Sequence, residues 1–445
     1  MKLAKNEHFE KIISTYEKNT PKSKELYEKS VQILPGGIGG SAPSYEPYHL
    51  IVEKGEGAKI WDVDGNEYLD FNLCWGALMV GHRHPTIIKG LQEKLEVGTM
   101  FGLHHEESID AAQALIDRFP IDKLRFVNSG SEATLYAIRL ARRYTGKDKI
   151  MKVEGSYHGV MDSLHISKKL PMGKAGPKSH PTPIPYGKGI LQSTVDNTII
   201  TPFNDLETTR ALIEENIGEI AAIIVEPTMM NAGVIPPEEG YLDELRELTE
   251  DYNIVLIFDE VKTGVKIAKG GACEYFGIEP DIVSLAKAIG GGLPLGAVGG
   301  KAEILDGIGD EGLFGTFSAN PLSVRACHLA LTEVLTDEKY KELEELGNAL
   351  MDGYRDIIED EGLEAVVQGI NAVGGIFFTK EHFHNYREWT KVDASKNDEY
   401  WLAMANEGIL PMAYGADEEW LISAQHTMED INTHLEAFKT VAPDL

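Results

Sequence analysis

The sequence predicts an α/β protein whose central, mostly parallel sheet is covered by helices. Two observations support this fold class. From about residue 121 onwards, short apolar runs alternate with segments of helical periodicity, and turn residues separate them. Short apolar runs between turns are typical of strands that are buried on both faces. Strand–helix alternation is typical of the crossover connections that join parallel strands.

The N-terminal part of the chain comes before this alternation. Residues 1–34 are polar and have a helical pattern that stops at Pro35-Gly36-Gly37. Between Lys54 and Asp70, alternating apolar residues flank Asp64-Gly65, a dipeptide that favours a hairpin turn. Helical spacing of apolar residues predicts two further helices, Pro85–Leu95 and Glu107–Phe119.

The predicted sheet and its surroundings follow. Its strands are Leu124–Val127, Ile150–Val153, Ile220–Val225, Ile254–Phe258 and Ile282–Leu285. A helix is predicted from Ser131 to Tyr144. Pro171–Gly189 lacks periodicity and is rich in Pro, Gly and Lys, which predicts a long ordered or gating loop. After Pro321, a helix of about twenty residues is predicted to lead into a second α+β region.

This order of elements predicts three parts of the chain. Residues 1–75 form an N-terminal segment that belongs to a small domain. Residues 76–325 form a large α/β domain, and residues 326–445 form the C-terminal α+β part of the small domain.

Composition restricts the classes of partner. The 445 residues include 42 basic and 71 acidic side chains, which give a formal charge of −29. Phosphate backbones and anionic membranes repel such a surface, so neither nucleic acid nor a membrane is expected as a partner. No long apolar window or signal-like N-terminus is present, which predicts a cytoplasmic protein. Three scattered cysteines indicate neither a disulfide framework nor a metal site.

Two charged side chains stand at the ends of predicted strands. Lys287 ends one apolar run and is followed by Gly290-Gly291-Gly292. Asp259 ends the preceding run. A lysine is a solvated cation by default, but an amine placed beside apolar chain can form a Schiff base with a carbonyl.

Two further loops carry polar and aromatic groups. Ser129, Gly130 and Ser131 join a strand to a helix, where backbone N–H groups and hydroxyls can bind phosphate. Ordinary capping of the helix by a serine explains the same residues. Tyr157 and His158 follow another strand and offer an aromatic surface, unless they are incidental loop residues.

Together, these features meet the requirements of pyridoxal 5′-phosphate. The cofactor needs a lysine for its aldehyde, a carboxylate for its pyridine nitrogen, a phosphate site and an aromatic surface. The order of Ser129–Ser131, Tyr157, Asp259 and Lys287 along the strand ends makes coincidence a poor explanation.

On these residues, the chain resembles the class III pyridoxal-phosphate-dependent aminotransferases of fold type I. It is most similar to their glutamate-1-semialdehyde 2,1-aminomutase branch. The matching motifs are Leu34-Pro-Gly-Gly37, Trp61-Asp-Val-Asp-Gly65, Trp75-Gly76, Gly81-His-Arg-His-Pro85, Asn128-Ser-Gly-Ser-Glu-Ala-Thr134, Tyr157-His-Gly159, Glu226-Pro227, Asp259-Glu-Val261, Ser284-Leu-Ala-Lys287, Gly315-Thr316, Asn320-Pro321 and His426-Thr-Met-Glu-Asp-Ile-Asn432.

The resemblance implies roles for individual residues. Lys287 would be the Schiff-base lysine and Asp259 the partner of the pyridine nitrogen. Ser129, Gly130 and Ser131 would hold the phosphate, and Tyr157 would lie over the ring with His158 close by. Thr316 would reach the phosphate from a neighbouring subunit, which implies a homodimer. Three further residues would line the cofactor or substrate pocket: Asn231, Glu226 and Trp75.

The chain departs from the aminomutase pattern at the expected substrate-carboxylate site. The branch has an arginine shortly after Pro-Gly-Gly, whereas Ile38–Tyr48 contains no arginine or lysine here. Nothing else in that stretch replaces a bidentate arginine–carboxylate pair. Phe101–Glu106 also departs from the branch, because the bulky His104 and His105 replace the small residues usual there. The two departures leave four residues as candidates for lining the pocket, unless they are plain surface residues: Tyr45, Tyr48, His104 and His105.

The resulting prediction is a ping-pong aminotransferase that moves an amino group from a small-molecule donor to an oxo acceptor. The alternative is the intramolecular 2,1-aminomutase, which uses the same half-reactions but retains its intermediate behind a closing loop. Racemisation is a third outcome of the same chemistry. A ligand-sensing domain without catalysis is disfavoured, because a scaffold would not need Lys287 and Asp259.

Overall fold

The computed structural model describes residues 7–40 and 45–445. The chain divides into two compact units. The large unit comprises Pro85–Tyr340 and Phe383–Thr390, and the small unit comprises Met1–His84, Lys341–His382 and Lys391–Leu445. These divisions differ from the predicted boundaries after residues 75 and 325, and the return of Phe383–Thr390 to the large unit was not predicted.

The large unit is built on a seven-stranded sheet. In spatial order its strands are Lys123–Val127, Gly296–Gly300, Ile282–Ala286, Val255–Asp259, Ile220–Val225, Lys149–Val153 and Thr198–Thr201. The four adjacent pairs that exclude Gly296–Gly300 are parallel, whereas Gly296–Gly300 is antiparallel to both of its neighbours. The sheet is therefore mostly parallel, as the sequence predicted.

Helices surround this sheet. Those of the large unit are Pro85–Leu95, Glu106–Ile116, Gly130–Thr145, Gln192–Asp196, Leu206–Glu215, Tyr241–Asp251, Gly271–Phe276, Ala302–Leu305, Pro321–Leu329 and Tyr386–Trp389, with a π-helical turn at Ala330–Val334 and 3-10 turns at Met172–Lys174, Lys287–Gly290 and Asp306–Ile308. Gly130–Thr145 packs its buried face on the strands, and its alanines Ala133, Ala137 and Ala141 allow a close approach. This packing fixes the helix N-terminus at the sheet edge.

The small unit contains two sheets and several helices, and is therefore α+β. One sheet has the strand order Val52–Glu56, Lys59–Asp62, Glu67–Asp70 and Ile409–Leu410, and the other Val366–Ile370, Val373–Phe377 and Trp420–Leu421. Its helical segments are Glu7–Asn19, Pro21–Val31, Leu73–Gly76, Ala394–Asn406 and Met428–Val441, with 3-10 turns at Pro35–Gly37 and Ala442–Asp444. The long helix Asp337–Glu361 belongs largely to this unit.

One predicted element differs in length. The helix that was expected to run about twenty residues from Pro321 ends instead at Val334. Leu335 leaves the helical conformation, and Thr336 Oγ1 then accepts a hydrogen bond from the Lys339 N–H at 3.3 Å. A side-chain cap at this point starts a new helix, because it satisfies a backbone donor that would otherwise lack a partner.

Within residues 7–40 and 45–445, no helix has both the length and the apolar character needed to cross a membrane.

Candidate active site

Most of the predicted site residues lie where parallel strands of the large unit end. The loops at the carboxyl edge of an open α/β sheet are its usual ligand site. Here five of the seven strands have a candidate group at their end or within a few residues after it. These groups are Ser129 after Val127, Tyr157 after Val153, Glu226 after Val225, Asp259 at the end of its strand, and Lys287 after Ala286.

Lys287 has an unusual backbone conformation. It follows the buried strand Ile282–Ala286 and begins a 3-10 turn with a φ of +53°. A non-glycine residue in the left-handed region costs free energy, and such residues concentrate at functional sites. Its side chain is partly exposed although the flanking Ala286 and Ala288 are buried. The chain therefore presents this amine at the sheet edge from an otherwise apolar segment.

Asp259 forms a buried pair with His158. Asp259 is 4% exposed, and its Oδ2 lies 2.7 Å from His158 Nδ1, while its Oδ1 accepts a hydrogen bond from the Val261 N–H at 3.0 Å. His158 Nε2 is buried and has no hydrogen-bond partner in the described part of the chain. A carboxylate has room for further donors. The pair can therefore accept a proton-bearing ring nitrogen at Asp259.

The N-terminus of helix Gly130–Thr145 forms a cradle for an anion. Ser129 Oγ caps the helix by accepting from the Glu132 N–H at 3.2 Å, and Ser131 Oγ accepts from the Val160 N–H at 3.3 Å. Each hydroxyl keeps its own hydrogen for donation. Capping and phosphate binding are thus compatible at Ser129.

Small residues keep this cradle open. A Cβ atom built on Gly130 would lie 2.9 Å from both Val261 methyl groups. Gly159 has a φ of +88°, and its Cβ would lie 2.8 Å from Ser131 Cα. Only glycine fits at either position without moving the helix N-terminus or the loop that carries Tyr157 and His158.

Tyr157 is held through its backbone and its ring. Its N–H donates to Glu226 Oε1 at 2.8 Å, and Lys168 Nζ lies 4.0 Å from the centre of its ring. Glu226 Oε2 also accepts from the Met230 N–H at 2.9 Å and from Asn231 Nδ2 at 2.8 Å. Glu226 and Asn231, predicted as cofactor-pocket residues, therefore brace the loop that carries Tyr157.

Sequence reasoning missed Lys152, which lies directly beneath this loop. Lys152 is fully buried, and its Nζ donates to the carbonyls of Val153, Ser156 and Ile166 at 3.3, 3.1 and 2.7 Å. Burial lowers its pKa to about 7, although the nearby Glu226 and Glu154 raise it. The available signal was a lysine inside the predicted apolar strand Ile150–Val153.

These groups fit pyridoxal phosphate. The serine hydroxyls and the helix N-terminus suit the phosphate, Asp259 suits the ring nitrogen, Tyr157 offers an aromatic face and Lys287 offers an amine. The buried His158 Nε2, which has no partner among residues 7–40 and 45–445, marks a polar position at this edge that the described chain does not satisfy.

The comparison with known proteins agrees with this geometry. The family "Aminotransferase class-III" matches residues 41–440. The chain belongs to the class III aminotransferases. The glutamate-1-semialdehyde 2,1-aminomutase of Methanosphaera stadtmanae is 40% identical over 422 residues, which cover 94% of this chain and 97% of that protein.

Solved structures place the fold in the same group. An omega-transaminase from Sphaerobacter thermophilus has a TM-score of 0.88 and 32% identity, covering 95% of this chain and 97% of its own. A transaminase solved with PLP bound has a TM-score of 0.85 and 28% identity, covering 96% and 98%. The chain has the predicted fold of the fold type I transaminases.

In this class III chain, Thr316 lies on an exposed loop of the large unit. Its neighbours Phe314 and Phe317 are 74% and 65% exposed. The loop contacts the segment that carries the predicted residues His104 and His105, because His105 Nε2 lies 3.0 Å from the Ala319 carbonyl. His104 is exposed, and His105 precedes the helix Glu106–Ile116. The structure therefore places His105 beside the loop that carries Thr316.

The remaining predicted residues belong to the small unit. Leu73, Cys74 and Trp75 have consecutive φ values of +44°, +56° and +54°, and Asn72 Oδ1 accepts from the Trp75 N–H at 3.1 Å. Tyr45 packs in an aromatic cluster, with ring centres 5.0 Å from Trp401 and 4.8 Å from Tyr414. Burial raises the pKa of Tyr45 to about 12.

Tyr48 of the small unit is buried, and its hydroxyl lies 2.9 Å from Thr20 Oγ1. The centre of its ring lies 5.3 Å from that of Tyr16 and 6.3 Å from that of Tyr27, both on the N-terminal helices. Residues 41–44, within the stretch that lacks an arginine, lie outside the described residues.

Proposed function

We propose that this chain transfers amino groups with pyridoxal phosphate bound at the carboxyl edge of the large-unit sheet. One observation carries the proposal. Asp259, which is buried and paired with His158, is the last residue of its strand. That strand is hydrogen-bonded to the strand that leads to Lys287, and Asp259 is paired in register with Ser284. Ser129, Gly130 and Ser131 would hold the phosphate, and Tyr157 would lie against the ring.

Different residues of this chain would hold and transfer protons during the reaction. When bound, pyridoxal phosphate supplies a ring that accepts the electrons left at the substrate carbon. Asp259 holds a proton at the pyridine nitrogen, which keeps the ring electron-deficient. The Lys287 amine takes a proton from the substrate carbon and returns it elsewhere as a general base and acid. His158 orients Asp259 through their 2.7 Å contact.

Borohydride reduction tests the central assignment. Reduction of the protein loaded with pyridoxal phosphate should fix the cofactor on the peptide that contains Lys287, and mass spectrometry detects the increment. The Lys287→Ala variant should show no increment there and no turnover. Labelling of a different peptide in the unaltered protein contradicts the proposal.

For the reaction itself, we propose the intramolecular 2,1-aminomutase chemistry, the alternative to a ping-pong aminotransferase. Its support is the name of the curated relatives, two of which are 40% and 38% identical over at least 94% of this chain. Pro171–Gly189, a loop with one short 3-10 turn, is available to retain an intermediate.

A ping-pong aminotransferase is the second candidate function. The absence of arginine and lysine from Ile38–Tyr48 favours it, because glutamate 1-semialdehyde carries a carboxylate. The omega-transaminase that is 32% identical to this chain supports the same alternative. A racemase has no specific observation in its favour.

A half-reaction screen separates the two candidates. The holoenzyme is mixed with glutamate 1-semialdehyde alone, and product is measured with and without an added oxo acid. An aminomutase converts the substrate to its isomer without the acceptor. If α-amino acids, β-amino acids or amines bleach the cofactor and only a separate oxo acid restores its absorbance, the enzyme is a transaminase and the aminomutase proposal is wrong.

We also propose that the enzyme is a homodimer with Thr316 at the subunit interface. Leu103, Phe314 and Phe317 are 81%, 74% and 65% exposed, and Asn320 Nδ2 donates to the Thr99 carbonyl at 3.2 Å, which joins the two segments. An exposed apolar surface of this kind favours burial against another protein surface, and a second copy would place Thr316 at a neighbouring site. A cytoplasmic location remains a prediction.

Sedimentation of a charged variant tests the dimer. Phe317→Glu should shift the protein from dimer to monomer and weaken cofactor binding. Ile217→Glu, at a residue that is 67% exposed elsewhere in the large unit, should leave both unchanged. A dimeric Phe317→Glu protein would contradict this interface.

A further inference from the structure

A single peptide group beside the candidate cofactor site is held between two buried ionisable side chains, an amine and a carboxyl group. Lys152 Nζ donates to the Ser156 carbonyl at 3.1 Å, and the Tyr157 N–H donates to Glu226 Oε1 at 2.8 Å. The carbonyl of Ser156 and the N–H of Tyr157 belong to the same peptide unit. Lys152 therefore holds the carbonyl oxygen of this peptide group, and Glu226 holds its N–H on the opposite side.

The two ionisable groups come from neighbouring strands. Lys152 lies on Lys149–Val153 and is paired in register with Ile224, two residues before Glu226. Lys152 is 0% and Glu226 is 2% exposed. Hydrogen bonds to charged groups are stronger than neutral ones, and a low-dielectric interior strengthens them further. The grip on this peptide is therefore stronger than ordinary loop hydrogen bonding.

An apolar residue would satisfy the packing at position 152. The neighbouring strand positions Ile150, Met151 and Val153 are buried and apolar. Burying an ammonium group there costs free energy unless its donors are satisfied, and all three acceptors of Lys152 are backbone carbonyls of the strand and the following loop. The use of a lysine therefore indicates a role in holding the loop rather than in filling the core.

We propose that Lys152 and Glu226 are positioning residues that set the plane of the Tyr157 ring against the bound cofactor. The orientation of the 156–157 peptide fixes the direction in which the Tyr157 side chain leaves the backbone. Lys168 Nζ lies 4.0 Å from the ring centre over one face of the ring. This inference rests on the proposed binding of pyridoxal phosphate at this edge.

A double-mutant cycle on binding tests the inference. The probe is pyridoxamine 5′-phosphate, which cannot bond covalently to Lys287, and its dissociation constant is measured by equilibrium dialysis with the full-length protein. Lys152→Met and Glu226→Gln are each made in the unaltered chain and in a Tyr157→Ala background. We expect each to raise Kd about tenfold when Tyr157 is present, and less than about twofold when it is absent.

Two further measurements separate positioning from general stability. Visible circular dichroism of the bound cofactor should change in Lys152→Met and Glu226→Gln, because the ring contact changes. Lys149→Met is the matched control, since Lys149 lies on the same strand but pairs with Glu219 at 2.6 Å. It should leave Kd and the dichroism unchanged. If Lys152→Met does not fold, Glu226→Gln alone decides the cycle.

The outcomes distinguish this inference from the proposed function. Equal effects on Kd with and without Tyr157, or no effect with Tyr157 present, overturn the positioning role while leaving cofactor binding intact. A chain that binds neither pyridoxal phosphate nor pyridoxamine phosphate overturns both proposals.

Discussion

At the scale of single residues, the charge of Asp259 is the feature on which the proposed chemistry depends. Asparagine keeps the shape of this side chain and can still accept from the Val261 N–H, but it cannot hold a proton on a pyridine nitrogen. We expect Asp259→Asn to lower kcat by about 10²- to 10⁴-fold, with a small change in the urea midpoint. Steady-state rates and urea unfolding measure both.

A second buried aspartate supplies the control. Asp281 is 6% exposed and pairs with Arg246 and Lys301, at the start of the next strand rather than at the carboxyl edge. Asp281→Asn should lower the free energy of unfolding and leave kcat close to normal. The role given to Asp259 is untenable if its own variant turns over normally.

Two buried histidines of the small unit make stability depend on pH. Burial lowers the pKa of His426 to about 4 and that of His434 to about 3. The unfolded chain therefore takes up protons below about pH 6.5 that the folded chain does not, and stability falls as the pH falls from there towards 3. Each histidine adds a slope of up to about 1.4 kcal/mol per pH unit.

Urea unfolding between pH 4 and pH 8 measures this slope. His434 Nε2 lies 2.6 Å from the Tyr354 hydroxyl, and glutamine at this position retains a hydrogen-bonding group without titrating. His434→Gln should flatten the pH dependence below pH 6.5. An unchanged slope would show that other groups cause the acid sensitivity.

Sequence reasoning reached the residues whose type is informative in itself. Lys287 and Asp259 lie at the ends of apolar runs, where a charged side chain is unusual. Serines before a helix commonly cap it or bind phosphate. It did not predict the hydrogen bonds of Glu226 and Lys152, because their partners are backbone groups of Tyr157 and Ser156 on a neighbouring loop. Only the register of two parallel strands brings these groups together.

At the scale of elements, strands with strong side-chain signals were predictable and those without were not. Ile220–Val225 was predicted with its observed bounds, since it consists of buried aliphatic residues between turns. Gly296–Gly300 reads Gly-Ala-Val-Gly-Gly, a composition that disfavours strands. A Cβ atom on Gly300 would lie 2.3 Å from the Asp281 carbonyl, so glycine is required by close backbone approach that no local pattern reveals.

The segment Phe383–Thr390 was also unpredictable from local sequence, and a buried ion pair attaches it to the large unit. Arg387 Nε and a terminal nitrogen donate to the two Glu154 oxygens at 2.7 and 2.9 Å, and the guanidinium also donates to the Gly176 carbonyl at 2.9 Å. Glu154 is 1% exposed. Removing Arg387 would leave a buried carboxylate without its cation, which costs about 3 kcal/mol.

Limited proteolysis measures the consequence. We expect Arg387→Met to increase the rate of tryptic cleavage at Lys174 or Lys178 at least about tenfold, because the loop Pro171–Gly189 loses its anchor at Gly176. Arg355→Met is the control, since Arg355 is exposed and its guanidinium lies 2.7 Å from Asp352, three residues earlier on the same helix. Equal cleavage in both variants would mean that the loop is held by its other contacts.

At the scale of the whole molecule, the excess of 71 acidic over 42 basic residues opposes folding through self-repulsion. Exposed ion pairs such as Lys59–Glu67 and Lys123–Asp306 offset little of this, because exposed pairs contribute at most about 1 kcal/mol each. Raising NaCl from 0.1 to 1 M shortens the screening length from about 10 to 3 Å and weakens both effects. Because repulsion among the acidic side chains involves far more charges than the exposed ion pairs do, its screening should dominate and the folded state should become more stable.

We therefore expect the midpoint of thermal unfolding to rise by at least about 3 °C over this range of NaCl, as measured by calorimetry. KCl should act equally, because screening depends on ionic strength and not on the identity of the monovalent cation. Sucrose at matched osmolality separates screening from the general stabilisation by excluded solutes. If sucrose raises the midpoint but NaCl and KCl do not, the acidic surface carries no net repulsive cost. Its charges would then be spaced widely enough to be screened already at 0.1 M.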